Sequence, residues 1–434
     1  MSSVELRTIR KISWRLLPLI IAIYFIAYID RTNVAFAAIS MNRDLGFTAY
    51  IYGWGAGMFF LGYFFFEVPS NVILQRVGAR IWIARIMATW GIVSGLMVFV
   101  SGTTSFFVIR FLLGVAEAGF FPGTLLYFTY WFPARYRARV ISALFLAVPG
   151  SNAVAAALSG ALLQLDGLWG LTGWQWMFLL ESLPAVLLAP VVLLLLTDRP
   201  AKAKWLAADE RQWLESELAA EHRAVERTGH LTLRKGLTDS RVLGLSLVYL
   251  TIVTATYGIT FFLPLIVKAH GLSNVATGLV TAVPYTVGAI GMLFWAQSSD
   301  RHGERRWHFI VAALLAAAGL VICGASAHLP VALAAMSLAT IGLYGSKPAF
   351  WPLPSTFLGG TAAAGGIALV NSIGNLGGFA GPYVVGWIRD QTHSYTAGLN
   401  FLAGCALASA ILAYFVVSPG RAALKPAAEL EAAP

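Results

Sequence analysis

Charge is what this chain has least of. Only 12% of its 434 residues are Asp, Glu, Lys or Arg, where soluble domains average about 25%. Hydrophobic residues make up 58%, and the mean hydropathy is +0.73. That shortage excludes an ordinary soluble fold and reads as a polytopic membrane protein. Cysteine is almost missing. Cys323 and Cys405 both lie in apolar runs, so they supply neither a disulfide framework nor metal-ligand spacing. Histidine is missing from the middle of every apolar run: His302, His308, His328 and His393 flank runs and His270 is in a loop. A membrane-embedded enzyme would need a nucleophile–base or metal constellation, and none is visible. No catalytic residue, cofactor or metal is expected. A sizeable soluble domain is lacking too, which argues against a signalling receptor. The net charge of +10 does not point to nucleic acid, because the basic residues follow alternate loops rather than one surface.

Long apolar runs are what is there. Windows of about 20 residues give twelve spans, near 16–38, 50–73, 81–101, 105–130, 138–163, 176–197, 242–267, 274–297, 308–326, 330–355, 364–388 and 397–417. The first lacks a small-residue cleavage site and is long enough to span, so it is expected to be retained. Arg7, Arg10, Lys11 and Arg15 precede it. Basic clusters recur at Arg76–Arg85, Arg135–Arg139 and Arg301–Arg306, nine Lys/Arg lie in 198–241, and Arg421 and Lys425 end the chain. The opposite loops hold only Arg43, Lys268 and Arg389. The positive-inside rule then places both termini in the cytoplasm. Segment 356–363, expected on the same side, has no Lys or Arg. Segment 198–241 is the one soluble stretch. Within it Trp213, Leu214 and Leu218 recur at helical spacing among charges, an amphipathic connector between two halves of six spans. Gly78-Ala-Arg-Ile-Trp82 and Gly303-Glu-Arg-Arg-Trp307 stand in matching loops of those halves, a faint internal repeat of the kind transporters use around a midplane site. The expected organisation is 1–197, a six-helix bundle; 198–241, a linker; 242–418, a second bundle; and 419–434, a tail.

Charges inside spans are expensive, about 2.5–3.5 kcal/mol each on insertion scales. Tyr28-Ile-Asp-Arg-Thr-Asn33 puts Asp30 and Arg31 in the first span, and Arg110-Phe-Leu-Leu-Gly-Val-Ala-Glu117 puts two more in the fourth. Arg110 and Glu117 are seven residues apart, hence on one helix face about 10.5 Å from each other. If spans one and four are neighbours, all four charges meet and sum to zero. The group is then either a structural network or a coupling site. Loss of water favours a neutral carboxyl and a nearby guanidinium favours an ionised one, while arginine keeps its proton. Asp30 and Glu117 are therefore candidate proton carriers, and Arg31 and Arg110 candidate anion partners. Lys347, mid-span in the tenth run, needs an anion or must snorkel to the surface. Asn371 and Asn375, one turn apart, bind substrate hydroxyls or join helices. Tyr257 walls the cavity or packs. Glu67 is structural or part of a gate, and Glu181 pairs locally.

Tyr28–Asn33 and Arg110–Glu117 with Pro122-Gly123 resemble the major facilitator superfamily, and within it the anion:cation symporters, over nearly the whole chain. Arg76-Val-Gly-Ala-Arg80 and Asp300-Arg-His-Gly-Glu-Arg-Arg306 look like the superfamily's gate motif, which would make Arg76, Arg80, Asp300, Arg301 and Arg305 gate residues. The first copy has Gln75 where an acid is usual. The Glu67 segment and Ser346-Lys347-Pro348 with Pro354-Ser-Thr-Phe357 look like the tartrate-transporter branch. The resemblance implies an all-α membrane protein of twelve transmembrane helices in two six-helix halves. It implies proton-driven import of a small organic anion by alternating access, with protonation at Asp30 and Glu117 and substrate carboxylate on Arg31. Tyr28, Arg110, Trp351 and Asn371 match further implicated positions, and Lys347 would hold a second carboxylate. The expected cargo is a hydroxy-dicarboxylate such as tartrate; alternatives are phthalate, a sugar acid or pantothenate, or a proton-antiporting drug exporter. Expected partners are that anion, the proton and the lipid bilayer, for a monomer in the inner (plasma) membrane.

Overall fold

Apolar runs in a bilayer must satisfy their backbone internally, so helix is the outcome. The computed structural model describes residues 3–227, 238–354 and 360–417, and among them every regular element is helical. The α-helices are α1 (Ser3–Asp44), α2 (Ala49–Val77), α3 (Ala79–Gly95), α4 (Thr103–Glu117), α5 (Phe120–Trp131), α6 (Ala134–Leu162) and α7 (Gly173–Leu195). After the linker helix α8 (Ala208–Arg227) come α9 (Ser240–Lys268), α10 (Asn274–His302), α11 (Arg306–Ala325), α12 (Leu329–Phe350), α13 (Gly360–Asn375), α14 (Gly377–Thr392) and α15 (Thr396–Val416). Eleven helical stretches are long and apolar enough to cross a membrane among the described residues, with α4 and α5 counted as one. The expected eleventh span is α13 plus α14. They are 16 residues each, so neither is long enough alone. The tail 419–434, linker residues 228–237 and most of the Pro354–Phe357 motif lie outside the described residues.

The broken fourth span matters most. Backbone inside a membrane opens only where protein or a cavity shelters it. The fourth span opens after Glu117: Ala118 is extended (φ −54°, ψ 134°), and Gly119 turns left-handed (φ 85°) before α5. Glycine takes that conformation without the Cβ clash other residues meet. Glu117 is thus the last residue of a half-helix. The eleventh span only tightens at Leu376, whose N–H bonds to the Ile373 carbonyl (3.2 Å) while its dihedrals stay helical (φ −62°, ψ −23°).

Helices α1–α7 form one bundle and α9–α15 the other. They meet chiefly along α2 against α14 and α6 against α10, with α1 beside α9. The end that carries α8 is the linker side; the other is the distal side. Contact is closest distally. A Cβ on Gly53 of α2 would overlap the Pro382 carbonyl of α14. Large apolar side chains such as Phe65, Leu187, Leu194, Phe294 and Phe415 are exposed, as a lipid-facing perimeter requires.

On the linker side α1 begins at Ser3, well before the expected span. Its extra turns dock the linker: Arg7 pairs with Asp209 and with Glu210 (3.0 Å), and Lys11 pairs with Glu210 (2.9 Å). Arg135 pairs with Glu217 (2.6 Å) and Arg137 with Glu221 (2.6 Å). Leu214 and Leu218 are buried beneath these pairs. The acidic connector is therefore strapped to the first bundle. Burial pushes Glu210 up, but the Ala207 N–H, Lys11 and Arg7 outweigh it and hold its carboxyl below the usual range.

Candidate functional site

The site lies between the bundles and is assembled from α1, α2, the α4–α5 break, α6, α9, α12 and α13. Close approach of α2 to α4 sets it up. A Cβ on Gly114 would overlap the Phe59 carbonyl, so only glycine lets the helices close up and bring Glu117 to α1. There Arg31 forms an ion pair with Glu117. Both residues are buried. The Arg31 guanidinium also donates to the Tyr257 hydroxyl of the second bundle at 3.3 Å. It lies 4.9, 5.0 and 5.6 Å from the ring centres of Tyr28, Phe59 and Tyr63. Aromatic faces stabilise a desolvated cation, so Arg31 is held by one acid and a ring cage.

The cavity at this point is walled by Tyr28, Arg31 and Glu117 from one bundle and Tyr257, Lys347, Asn371 and Asn375 from the other. Tyr24, Tyr63, Tyr249 and Thr256 add hydroxyls, and Phe60, Phe120, Phe121 and Phe145 add apolar wall. The enclosed volume is about 40 Å³, room for a few waters; an organic anion of several carbons needs the bundles to part. Helix α12 ends at Phe350, so Lys347 sits in its last turn and there lines the chamber with Arg31 and Glu117. Its ammonium is 5.2 Å from the centre of the Tyr344 ring. Among the described residues no carboxylate is salt-bridged to it.

Three expected residues stand back from the wall. Asp30 is buried behind it, accepting from the Ser94 hydroxyl and from Asn33 Nδ2 (3.1 Å). Arg110 is fully buried, donates to the Ala56 carbonyl at 3.2 Å and lies 5.4 Å from the Phe59 ring centre. Phe59 thus adjoins both guanidiniums, and Arg110 is not among the residues that wall the chamber. Trp351 lies beneath the cavity on the linker side, stacked on Phe145 (6.2 Å) and edge-on to Tyr249 (5.0 Å).

The expected gate residues separate into two groups. Glu67 joins the bundles: it accepts from Asn371 Nδ2 at 2.7 Å and from the Ser372 hydroxyl at 2.9 Å. Asn371 therefore faces the cavity while donating to Glu67. The loop residues stay within their own bundle. The backbone N–H of Arg80 donates to Asp198 (2.9 Å) and its Nε to the Leu193 carbonyl (2.5 Å). Arg305 pairs with Asp300 (2.6 Å). Arg76 and Arg301 are exposed.

Sequence reasoning missed the distal closure. Asp390, near the end of α14, accepts the Ala49 N–H (3.0 Å) and the Tyr50 N–H (2.9 Å), so an acid of one bundle caps a helix of the other. The first N–H groups of a helix lack internal partners and its dipole favours an anion there. The signal was present: Asp390 is the one acid between Glu304 and Glu429. Ser94 and Ser372 were missed as well, and an isolated serine in an apolar run carries no such signal.

The family model described as Major Facilitator Superfamily matches residues 20–382. A protein of Agrobacterium vitis named "Putative tartrate transporter" is 53% identical over 411 residues, 95% of this chain and 91% of its own. A "Quinolone resistance transporter" of Acinetobacter baumannii is 42% identical over 413 residues, 95% of each chain. The crystal structure of a D-xylose-proton symporter superposes with a TM-score of 0.75 at 16% identity, covering 94% of this chain and 98% of that one. That last likeness concerns the fold.

Proposed function

The chain belongs to the Major Facilitator Superfamily, and from that premise we propose that it is a symporter that carries a proton together with a small hydroxy-dicarboxylate. It is a multi-pass membrane transporter and not an enzyme. The observation that carries the finer reading is the pair of cations facing one chamber from opposite bundles. Arg31 is held by Glu117, and Lys347 has no salt-bridged carboxylate among the described residues. Two cations suit two carboxylates. Asn371, Asn375 and the tyrosine hydroxyls suit the hydroxyl groups between them. The name of the Agrobacterium vitis relative points to the same chemical class.

The coupling follows from competition for Arg31. While Glu117 is ionised, Arg31 is neutralised and holds an incoming carboxylate weakly. A proton on Glu117 releases Arg31 to the substrate. Lys347 takes the second carboxylate, which draws the bundles together on both sides of the ligand. Opening alternates between the distal closure at Asp390 and the linker-side contacts of Glu67 and Trp351. In this reading the linker side is cytoplasmic, the membrane is the inner membrane, and transport is inward. The relative named for quinolone resistance favours a second reading, proton-driven export.

One experiment separates them. Purified protein in proteoliposomes under an imposed pH gradient is offered radiolabelled tartrate, other dicarboxylates, sugar acids and a fluoroquinolone. Accumulation of a dicarboxylate on the alkaline side supports the proposal. Movement of the quinolone against the proton gradient, with no carboxylate uptake, replaces it with export.

A further inference from the structure

Behind the chamber lies a further buried carboxyl, on α7. Glu181 is 3% exposed and accepts the Ser159 hydroxyl of α6 at 2.7 Å through Oε1. Its Oε2 has no hydrogen-bond partner. Asp30 Oδ2 and Asn33 Oδ1 of α1 are buried without a partner too. The Asn33 side chain donates to Asp30 at 3.1 Å and faces Glu181. The cluster is therefore short of donors, although buried polar atoms are normally satisfied.

Charge gives the same answer. Inside the first bundle the buried carboxyls Asp30, Glu117 and Glu181 outnumber the buried guanidiniums Arg31 and Arg110, and Glu67, buried as well, is held by Asn371 and Ser372 of the other bundle. Once Arg31 is assigned to Glu117, Arg110 is left for two carboxyls. Two desolvated carboxylates left with one cation cannot both ionise cheaply, and one shared proton resolves the conflict. Among the described residues the groups around Glu181 supply no further cation: α1 brings Asp30 and Asn33, α6 brings Ser159, and α3 brings Ser94, which donates to Asp30. Arg110 of α4 acts on Asp30 rather than directly on Glu181. Two acids stand at the distal end of α7: Asp166 accepts the Gly173 N–H at 2.8 Å, and Asp44 accepts from Trp174 Nε1 at 3.1 Å and pairs with Arg43.

Depth orders the groups. Glu181 is eight residues from the distal start of α7, ~12 Å at 1.5 Å per residue, and Asp30 is fourteen from the distal end of α1, ~21 Å. We propose that Glu181 is a proton-holding residue on the distal side of the chamber that hands its proton to Asp30, with Asn33 positioning the two carboxyls. In the step the Glu181 Oε2–H bond breaks and an Asp30 Oδ2–H bond forms. The negative charge moves from Asp30 to Glu181, and a proton from the distal solution restores Glu181. The step rests on the proton-coupled reading above, but Glu181's possession of a proton can be read without transport.

Infrared difference spectra of the lipid-reconstituted protein test it, recorded across a pH step in light and heavy water. The wild type should show the carbonyl stretch of a protonated carboxylic acid. It should vanish in Glu181→Gln and persist, shifted, in Glu181→Asp. In proteoliposomes Glu181→Gln should slow proton-driven uptake on the order of 100-fold, the size of a positioned proton-transfer group, with the KM for substrate unchanged and Glu181→Asp restoring the rate. A carbonyl band untouched in Glu181→Gln overturns the assignment, as does a variant that loses rate only through KM. If wild-type uptake ignores the pH gradient, the coupled-transport reading falls, while the infrared band still decides where the proton sits.

Discussion

Replacing Lys347 by alanine should separate two classes of cargo. The ammonium lies in the wall of the chamber, opposite Arg31 across the bundle interface. A hydrogen bond to a charged group is worth about 1.5–3 kcal/mol net. At an effective dielectric of 20, two unit charges 4 Å apart interact by about 4 kcal/mol, so the lower range already allows for desolvation. Converted at 1.36 kcal/mol per decade, Lys347→Ala should weaken the apparent affinity for a dicarboxylate roughly 10- to 100-fold. A monocarboxylate held by Arg31 alone should lose about threefold or less, the size of a lost packing contact. Lys347→Arg should restore part of the difference, since it keeps the charge. The assay is competition against radiolabelled substrate in proteoliposomes, with a matched series of mono- and dicarboxylates. Equal losses for both classes would refute the two-cation reasoning.

Glu117→Gln removes the acid that competes for Arg31, and uptake should no longer exceed the external concentration under a pH gradient; normal accumulation by this variant would show that coupling runs elsewhere. Asp390→Ala uncaps α2 at the distal closure, so cysteines placed beside Gly53 should react with impermeant thiol reagents at least several-fold faster, whereas an unchanged rate would mean that the cap does not hold that end shut. The docking of α8 should depend on pH. Glu210 titrates below the ordinary glutamate value of about 4.3, so its contribution is complete above that value and is lost as pH falls through the lower folded one. Hydrogen exchange in α8 should accelerate in that acid window and not between pH 6 and 8. Gly114→Leu should abolish both binding and the thermal transition by forcing α4 off α2, and a well-folded, active variant would show that the close approach is dispensable.

Much of the fold was legible because a bilayer leaves few choices. Apolar length marks each span, and the limits agree with the helices within a few residues except where a span is broken or extended. Those exceptions are instructive. The left-handed turn at Gly119 leaves no mark in hydropathy, because both halves of that span stay apolar. The long start of α1 was hidden because its turns are held by ion pairs to α8, not by lipid. Asp30, Arg31, Arg110 and Glu117 stood out individually because buried charge is costly. What the sequence could not give was layering. Arg31 and Glu117 reach the chamber, whereas Asp30 and Arg110 lie behind it, a difference set by side-chain direction across helices that hydropathy does not order. The tenth span was drawn to 355, whereas α12 ends at Phe350, yet Lys347 still lines the same chamber as Arg31 and Glu117. Cross-bundle partners such as Asp390 with α2 or Glu67 with Asn371 depend on contacts hundreds of residues apart.

The central claim is that cargo and proton move together because they meet at Arg31 and Glu117. The most direct measurement imposes no proton gradient. Proteoliposomes loaded with a pH-sensitive dye are given an inward gradient of the dicarboxylate that the uptake screen selects, with membrane potential clamped. The account predicts internal acidification that tracks substrate entry and is absent in Glu117→Gln. Substrate entry without a proton signal, or with internal alkalinisation, would contradict it.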